Sequence, residues 1–380
     1  MPELAELEAQ GHQLKIVPLL PRSKTVLSDR KQFLSASSVI PLCSFRIARE
    51  FMKSVCQRPG VVWSLMRRFC QGTFTTAAKN FAVLPKAVWL AQMAKNWRAD
   101  HIHAFWASGP ASLALAASEL SGVPWSFSAH RFDIMENNLM QQKADSARFV
   151  RFISADGLRL SGLQGTALES KTIVLHLGID VDVPLAAVAA TNVPVVLCVA
   201  ALVPRKGHGV LLKAVQELQR RNVVSELWLA GDGELRDSLQ QDVRARGLSA
   251  RVKFLGSLPH SELMSLYVNG LVTMVALASY HEGIPVSLME AMSFAVPVVA
   301  TQAGGVAELL GNNAGLIVAP NDWYAMADAL HLLINNIELR KSLGMAARER
   351  VRSSFAASKI ATCMAALLAG NLQPLDTRAA

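Results

Sequence analysis

Two glutamates, Glu282 and Glu290, are separated by seven residues that include a Gly-Ile-Pro turn. Proline is tolerated in the first turn of a helix, so Gly283 and Pro285 predict a helix that begins near Val286. The free N–H groups and the dipole at such a helix start favour a phosphate or another anion. Carboxylates accept hydrogen bonds from hydroxyl groups. One short segment could therefore hold a ligand that carries both phosphates and hydroxyls.

A structural interpretation of the same glutamates stays open. Glu282 could be a helix N-terminal charge and Glu290 a solvated helix residue.

A second candidate site is basic, since Arg205 and Lys206 follow an apolar run that ends near Ala201. Fixed cations at this place would stabilise the charge that develops on a departing phosphate. A solvated basic loop is the alternative.

Histidines supply the third set of candidates. His130 follows the predicted strand WSFSA, and a neutral imidazole there can donate or accept a hydrogen bond and handle protons near neutral pH. His101 and His103 alternate along another strand and so share one face. A metal pair is conceivable, but no acid or cysteine set of matching spacing accompanies them. His103 is kept as a weak candidate beside the site.

Short apolar runs alternate with helical patterns along the chain, which predicts parallel sheets covered by helices on both faces. The predicted strands lie near 14–19, 101–106, 125–129, 149–153, 172–176, 194–200, 226–231, 251–255, 272–277, 296–301 and 315–318. Two doubly wound domains follow, joined by the small-residue-rich segment 183–193. Ligands bind beyond the carboxyl ends of the strands in such sheets, so we expect the site in a cleft between the domains.

The segment YHEGIPVSLMEAMSFAVPVVAT, residues 280–301, resembles the donor-binding motif of the family-four retaining glycosyltransferases, which have the GT-B fold. Other stretches resemble the same family and cover roughly residues 100–350. Residues 194–209 resemble the first strand and basic loop of the family's donor domain, and residues 226–236 resemble its second strand and Gly-Asp-Gly turn. The other matching stretches are 252–256 and 301–308 in the second half and 101–134 and 173–182 in the first half. The first-half stretches look like members that build bacterial surface polysaccharides.

The resemblance implies an α/β GT-B fold of two Rossmann-like domains facing across a cleft. It implies an acceptor-side domain over 1–185, a nucleotide-sugar domain over 186–355, and a helix and tail over 356–380 that could cross back to the first domain. Family members normally begin with an earlier strand and a loop that borders the cleft. The opening residues, PELAELEAQGHQLKIVPL, resemble the first helix and second strand instead, so we expect the first strand to be missing.

The resemblance also implies roles for the candidates. Glu290 would bind ribose hydroxyls and Glu282 the donor sugar, Lys206 and Arg205 would hold the diphosphate, and His130 would position the transferred sugar. The turn residues Gly283, Ile284 and Pro285 and the loop glycines Gly304 and Gly305 would complete the donor site. Many members carry an arginine in place of Ala201, which leaves Arg205 as a substitute, and a further histidine in place of Phe105. No tightly bound cofactor or metal is expected.

Composition agrees with two cytosolic domains. The 380 residues are 51% hydrophobic and 18% charged, which suffices for two cores. The cysteines at 43, 56, 70, 198 and 363 form no close pair, so we expect reduced thiols. No apolar run reaches the length of a membrane span, and the start lacks a basic head followed by an apolar run. We expect a cytoplasmic protein, at the inner face of the membrane if it docks there.

The net charge of +9 is concentrated from Phe51 to Arg98, where basic residues alternate with apolar and aromatic ones and no acid occurs. The basic residues are Lys53, Arg58, Arg67, Arg68, Lys79, Lys86, Lys95 and Arg98. Such a surface can dock on anionic lipid. A helical pair with an apolar stripe on the core and solvated lysines is the alternative. No nucleic-acid-binding motif accompanies the charge, so we expect no nucleic-acid partner.

Two further motifs are set aside. Asp180 and Asp182 resemble a metal-binding Asp-Val-Asp of another fold, but they follow a predicted strand and fit a surface or hinge. The Gly231–Gly233 turn lacks the third glycine of a dinucleotide fingerprint.

We expect transfer of a sugar from a nucleotide diphosphate sugar to a lipid-linked or oligosaccharide acceptor, with retention of the anomeric configuration. A sugar-nucleotide epimerase or hydrolase and a catalytically impaired partner of assembly enzymes remain the alternatives.

Overall fold

The computed structural model describes residues 2–20, 45–187, 193–311 and 313–371. These residues form two compact units. Of the described residues, the N-terminal unit comprises those within Leu7–Leu175 and 362–371, and the C-terminal unit comprises 2–6 and those within His176–Ala361. The first of these segments ends at Leu175, whereas the sequence places the boundary at 185. Part of the predicted linker and the tail after residue 371 lie outside the described residues.

The N-terminal unit is built on a four-stranded parallel sheet in the order β1-β2-β3-β4. Its strands are β1 Ile102–Ala104, β2 Trp125–Ala129, β3 Val150–Phe152 and β4 Thr172–Val174. Its helices are α2 Phe45–Gln57, α3 Pro59–Phe69, α4 Phe74–Trp97, α5 Gly109–Ser121, α6 Arg131–Glu136, α7 Met140–Ser146 and α8 Ala155–Leu160. The first helix of the chain, α1 Pro2–Ala9, and the last, α16 Ala357–Ala369, contain residues of both units.

The C-terminal unit is built on a six-stranded parallel sheet in the order β10-β9-β8-β5-β6-β7. Its strands are β5 Val195–Val199, β6 Glu226–Ala230, β7 Val252–Gly256, β8 Met274–Leu277, β9 Val298–Thr301 and β10 Leu316–Val318. Its helices are α9 His208–Arg220, α10 Arg236–Ala245, α11 His260–Val268, α12 Val286–Ser293, α13 Val306–Leu309, α14 Trp323–Asn335 and α15 Ile337–Ser354. Both units are thus α/β structures with parallel sheets, as the sequence predicts. The strand order reverses between β8 and β5 in the C-terminal unit, whereas the four described strands of the N-terminal sheet follow one another in chain order.

The strands form from short apolar runs that end in turn residues, because a parallel sheet covered by helices on both faces buries most side chains of its central strands. Both β8 and β9 are buried along their full length. Helix starts follow local capping rules. The side chain of Asp322 accepts a hydrogen bond from Ala325 N at 2.9 Å before α14, and that of Asn336 accepts one from Leu339 N at 2.9 Å before α15.

The strand predicted over residues 14–19 is wrong. This segment contains one bridging residue, Ile16, and is otherwise irregular. Pro18 cannot donate to a strand ladder. The carbonyl oxygens of Pro18 and Leu19 instead accept hydrogen bonds from Lys86 Nζ at 2.7 and 2.9 Å. A buried ammonium group therefore takes the place of a neighbouring strand for these carbonyls.

The basic segment 51–98 folds as α2, α3 and α4. Leu65, Phe69 and Leu90 are buried in the core of the N-terminal unit, while Trp63 and Phe74 are exposed. Lys86, expected on a basic surface, is buried instead. The alternative of an apolar stripe on the core therefore describes much of the segment. Within the described ranges, no helix combines the length and the apolar character that a membrane span requires.

Candidate functional site

The parallel order of the C-terminal sheet explains why separate stretches of the chain meet. β5 lies between β8 and β6, and β8 lies beside β9, so the segments that follow β5, β8 and β9 leave the sheet at the same edge. Helical connections run to opposite sides at such a position, which opens a crevice at the carboxyl ends of the strands. The basic, Glu-Gly-Ile-Pro and Gly-Gly segments follow these three strands in turn.

The basic segment and the first glutamate form an ion pair. Lys206 ends a short 3-10 turn, Pro204–Lys206, after β5, and its Nζ lies 2.5 Å from Oε1 of Glu282, which follows β8. The Lys206 side chain is 14% exposed and that of Glu282 is 7% exposed. Little water screens such a pair, so its charge-assisted hydrogen bond fixes the lysine. The structure brings these two predicted residues together.

Backbone geometry holds this pair in place. Gly207 follows Lys206 with φ of +63°, and a Cβ at this position would lie 2.0 Å from the carbonyl oxygen of Ala278. Only glycine fits both conditions. The carbonyl oxygen of Arg205 accepts a hydrogen bond from Tyr280 N at 2.8 Å. The basic turn is therefore tied to the segment that carries Glu282.

The two glycine-containing loops also meet. Gly305 N donates to the carbonyl oxygen of Gly283 at 3.0 Å, and a Cβ on Gly305 would lie 2.7 Å from the same oxygen. Gly304, beside it, has φ of +54°. Ile284 is buried, and Pro285 caps the start of α12. The first N–H groups of a helix have no partner inside it, so this helix start remains suited to an anion.

Glu290 lies on α12, and its surroundings include two residues that sequence reasoning missed. Its Oε1 lies 2.9 Å from Nε2 of His260, the first residue of α11. Burial, and then the nearby Glu290 carboxylate, raise the pKa of Tyr267, whose hydroxyl is buried and has no partner among the described residues. Neither neighbour is close in sequence, so no local signal points to them.

His208 begins α9 directly after the glycine. Its ring is buried, and neither ring nitrogen has a partner within the part of the chain that the structure describes. Burial, with a contribution from Lys206, lowers the pKa of His208 to about 4. The imidazole is therefore neutral near pH 7. Burial also raises the pKa of the Cys198 thiol to about 12, which leaves Lys206 and Glu282 as the charged groups beside these residues.

In the N-terminal unit, His130 directly precedes α6. The backbone N–H of His130 donates to Asp133 Oδ2 at 3.3 Å. The imidazole ring stacks on the Trp106 ring, with the ring centroids 5.5 Å apart and an interplanar angle of 22°. Asp133, at the third helical position, is the local signal that fixes this helix start. The pattern that identifies His130 does not point to Trp106, which follows β1 and is exposed.

His103, on β1, takes part in a network of polar side chains with His101 and two serines of β2. Its Nδ1 lies 2.7 Å from Ser126 Oγ and its Nε2 lies 2.9 Å from Ser128 Oγ, while His101 Nε2 lies 2.7 Å from the same Ser126 hydroxyl. Burial, then Arg151 and His101, lower the pKa of His103 well below its usual value. Both histidines share one face, as predicted. The role of His103 beside an acceptor stays a prediction.

The Asp-Val-Asp motif, the Gly-Asp-Gly turn and the cysteines take no part in the Lys206–Glu282 ion pair. Asp180 and Asp182 are exposed. Residues 231–235 form the turn between β6 and α10. Across the described residues, no group of three or more histidine, cysteine, aspartate or glutamate side chains is arranged to hold a metal ion. Cys56, Cys70, Cys198 and Cys363 are free thiols, and Cys43 lies outside the described residues.

Parts of the chain are similar to known proteins. Residues 186–350 match the profile of the family described as glycosyl transferases group 1. The chain is 33% identical over 151 residues to an alpha-D-kanosaminyltransferase of Streptomyces kanamyceticus, a match that covers 40% of this chain and 39% of that protein. It is 32% identical over 222 residues to the lipopolysaccharide core biosynthesis mannosyltransferase LpcC of Rhizobium leguminosarum bv. viciae, covering 54% and 62%.

Among solved structures, Anabaena Alr3699/HepE in complex with UDP-glucose superimposes with a TM-score of 0.64 at 23% identity, covering 75% of this chain and 82% of that one. At this identity the likeness establishes the fold. The matches to the two relatives span 39% and 62% of their lengths. Residues 186–350 are thus similar to the glycosyl transferases group 1 family, and the chain has the GT-B fold.

Proposed function

We propose that this protein is a retaining glycosyltransferase that moves a sugar from a nucleotide diphosphate sugar to a lipid-linked or oligosaccharide acceptor in surface polysaccharide biosynthesis. The observation that carries the proposal is the Lys206–Glu282 ion pair at the carboxyl ends of β5 and β8, beside the Gly283–Gly305 contact. The names of the matched relatives, a mannosyltransferase of lipopolysaccharide core biosynthesis among them, support it.

In the proposed reaction, the bond between the sugar C1 and the diphosphate oxygen breaks, and a bond from C1 to an acceptor hydroxyl oxygen forms on the same face. The acceptor hydroxyl passes its proton to the departing diphosphate oxygen, and the nucleoside diphosphate leaves. Lys206 stabilises the charge that develops on the outer phosphate, because its ammonium is fixed before the reaction begins. Glu282 holds Lys206 by the observed ion pair and reaches the donor sugar with its carboxylate.

The remaining roles are proposed on the same basis. Glu290 accepts hydrogen bonds from the ribose hydroxyls, and Arg205 adds positive charge for the diphosphate. The start of α12, after Ile284 and Pro285, and the Gly304–Gly305 loop let backbone approach the phosphates. His130 positions the transferred sugar through its imidazole, and His103 is kept as an acceptor-side residue. The nucleotide sugar is a co-substrate, and we propose no tightly bound cofactor.

A thermal-shift screen tests the donor site first. Purified protein is heated with UDP-, GDP- and other nucleotide-linked sugars, with free nucleotides as controls, since a ligand that binds only the native state raises the apparent melting temperature. We expect one nucleotide to give a selective shift that is lost in Glu290→Ala and kept in Glu338→Ala, which replaces an exposed glutamate of α15. No shift with any nucleotide from folded protein would contradict the proposal.

Product analysis with the donor so identified tests the reaction. A new glycosidic bond with the anomeric configuration of the donor supports retaining transfer. Free sugar or an epimer would instead support hydrolysis or epimerisation on the same fold. Unchanged turnover in both Glu282→Ala and Lys206→Ala would remove these residues from the mechanism.

For the membrane, we propose peripheral docking through the helices of segment 51–98. Exposed aromatic side chains at Trp63 and Phe74 and exposed cations at Lys53 and Arg67 support it. Attraction to an anionic surface is worth roughly 1 kcal/mol per nearby basic residue and weakens with salt. Cosedimentation with phosphatidylglycerol vesicles, but not with neutral vesicles, should fall in the Trp63→Ala, Phe74→Ala double variant. Equal sedimentation with both vesicle types would contradict docking.

A further inference from the structure

The loop that follows β1 presents one large aromatic side chain to solvent. Trp106 is 43% exposed, although its ring lies against the imidazole of His130 at the stacking distance and angle given above. Exposure of an indole ring to water costs free energy, which a ligand or a partner that covers the ring would recover. Its exposure beside a residue of the proposed site therefore calls for a functional explanation.

The backbone around Trp106 is fixed by buried charged residues. Lys143 Nζ donates to the carbonyl oxygens of Ala107 and Ser108 at 2.7 and 3.0 Å. Ala107 N donates to Asp133 Oδ2 at 3.1 Å. Lys143 is 1% exposed and Asp133 is 8% exposed, so these bonds are shielded from water. These bonds hold the backbone of the loop in place, although the side chain of Trp106 is exposed to solvent.

Asp133 links the two stacked rings. The same oxygen, Oδ2, accepts hydrogen bonds from Ala107 N, next to Trp106, and from His130 N. One carboxylate thus sets the backbone positions of both aromatic residues. A platform whose two members are positioned by a shared buried group is preorganised, which reduces the ordering that a ligand must impose on binding.

We propose that Trp106, backed by His130, is a stacking platform for a hexopyranose ring of the acceptor. The C–H groups on one face of a pyranose carry partial positive charge and lie flat on the electron-rich face of an indole. The platform belongs to the N-terminal unit, whereas Lys206, Glu282 and Glu290 belong to the C-terminal unit. Assignment to the acceptor rests on the proposed glycosyl transfer. Lys143 and Asp133 act as positioning residues.

Saturation-transfer difference NMR tests the platform on the full chain. The probes are the methyl α-glycosides of glucose, mannose and galactose, offered without nucleotide. We expect saturation of the ring C–H protons of at least one glycoside, and about tenfold weaker binding in Trp106→Ala, with most of the affinity kept in Trp106→Phe. Tyr324→Ala, which removes another exposed aromatic side chain, should bind as the wild type does. Thermal melting checks that each variant is folded.

The outcomes separate this inference from the proposed function. If the nucleotide shifts the melting temperature but no glycoside binds, or if Trp106→Ala binds the glycoside as well as the wild type, the platform is wrong and glycosyl transfer stands. If the glycoside binds through Trp106 but no nucleotide binds, Trp106 stacks on a sugar as proposed, but the transfer reaction and the assignment of that sugar to an acceptor are wrong. Trp106→Ala that weakens nucleotide binding but not glycoside binding would identify a nucleobase as the stacked group and overturn the acceptor assignment.

Discussion

The C-terminal unit surrounds its sheet mainly with apolar side chains, whereas the N-terminal unit also buries cationic and amide side chains beside its own. β8 and β9 are buried along their length, and glycines such as Gly207 and Gly305 bring backbone segments into contact. In the N-terminal unit, by contrast, Lys86, Lys143 and Arg151 are all buried. The comparison teaches that one architecture can be held by close packing in one unit and by polar pairing in the other.

If close packing positions the C-terminal site, Gly207→Ala should have the largest effect. The new Cβ would meet the carbonyl oxygen of Ala278 at a residue whose φ is +63°, so we expect a loss of roughly 3 kcal/mol or more and loss of nucleotide binding. Hydrogen exchange of peptides from β5 and β8 measures the opening of this unit.

Gly209→Ala is the matched control. Gly209 lies two positions further on, within α9, and no atom lies within 4 Å of a Cβ placed there. Alanine favours a helix more than glycine does, so this variant should be unchanged or slightly more stable. Equal destabilisation of both variants would show that the contact at Gly207 is not what holds the basic turn.

Polar pairing in the N-terminal unit predicts the next largest effect. Asn80 and Asn138 exchange hydrogen bonds at 2.9 Å each, and Ser112 Oγ donates to Asn80 Oδ1 at 2.6 Å, all in the interior. Asn80→Ala leaves these partners unpaired, so we expect a loss of about 2–3 kcal/mol. Hydrogen exchange of β2 peptides should speed up, while the exchange of β8 peptides stays unchanged.

Asn96→Ala controls for the loss of an asparagine from the same helix. Asn96 is exposed on α4 and pairs only with the exposed Gln92 side chain among the bonds described for it, so its replacement should change stability by less than about 0.5 kcal/mol. A small effect of Asn80→Ala, close to that of the control, would show that the buried amides contribute little.

Sequence reasoning located the strands of both units well because an apolar run bounded by turns is a local signal. β2, for example, spans residues 125–129, as predicted. The grouping of the donor-side residues can also be predicted from the sequence, because parallel strands bring their carboxyl ends to one edge. The partners of buried polar groups cannot be predicted in this way, since Lys86 donates to carbonyl oxygens of Pro18 and Leu19, which are far away in the chain. A lysine that is solvated and one that is buried look alike in a local pattern.

The same limit applies to the site. Lys206 and Glu282 were identified separately, but their ion pair depends on the adjacency of β5 and β8, which no local pattern states. His260 was missed because it contacts Glu290 from a different helix. Trp106 was missed because an aromatic residue in an apolar stretch is usually part of a core. Its exposure is a property of the folded chain.

For the buried amino group of Lys143 we expect a smaller effect on stability, one that depends on pH. Burial lowers the pKa of Lys143 to about 7 from the usual 10.5, although Glu136 and Asp133 oppose the shift. The unfolded chain therefore binds more protons than the folded one between about pH 7 and 10.5, so the free energy of unfolding should rise with pH across this window. The slope from one group is at most about 1.4 kcal/mol per pH unit.

Urea midpoints of the wild type and Lys143→Met at pH 7, 8 and 9 measure this slope. The variant has no titrating group at this position, so its stability should rise less with pH, and the difference between the two proteins should grow toward pH 9. Lys95→Met, which removes an exposed lysine of α4, should keep the wild-type slope. Parallel pH profiles for the wild type and Lys143→Met would contradict the assignment.

The smallest effect is expected at His260, where a polar contact of the C-terminal unit lies at the surface. The side chain of His260 is 57% exposed and that of Glu290 is 20% exposed, so water and salt weaken their attraction. We expect His260→Ala to weaken nucleotide binding only about threefold, because Glu290 keeps its place on α12 through the buried Leu288 and Met289 that precede it. His12→Ala, in the other unit, should have no effect, and calorimetric titration measures both. A loss as large as that of Glu290→Ala would mean that polar pairing, rather than packing, positions the carboxylate, and the contrast between the two units would fail at the site itself.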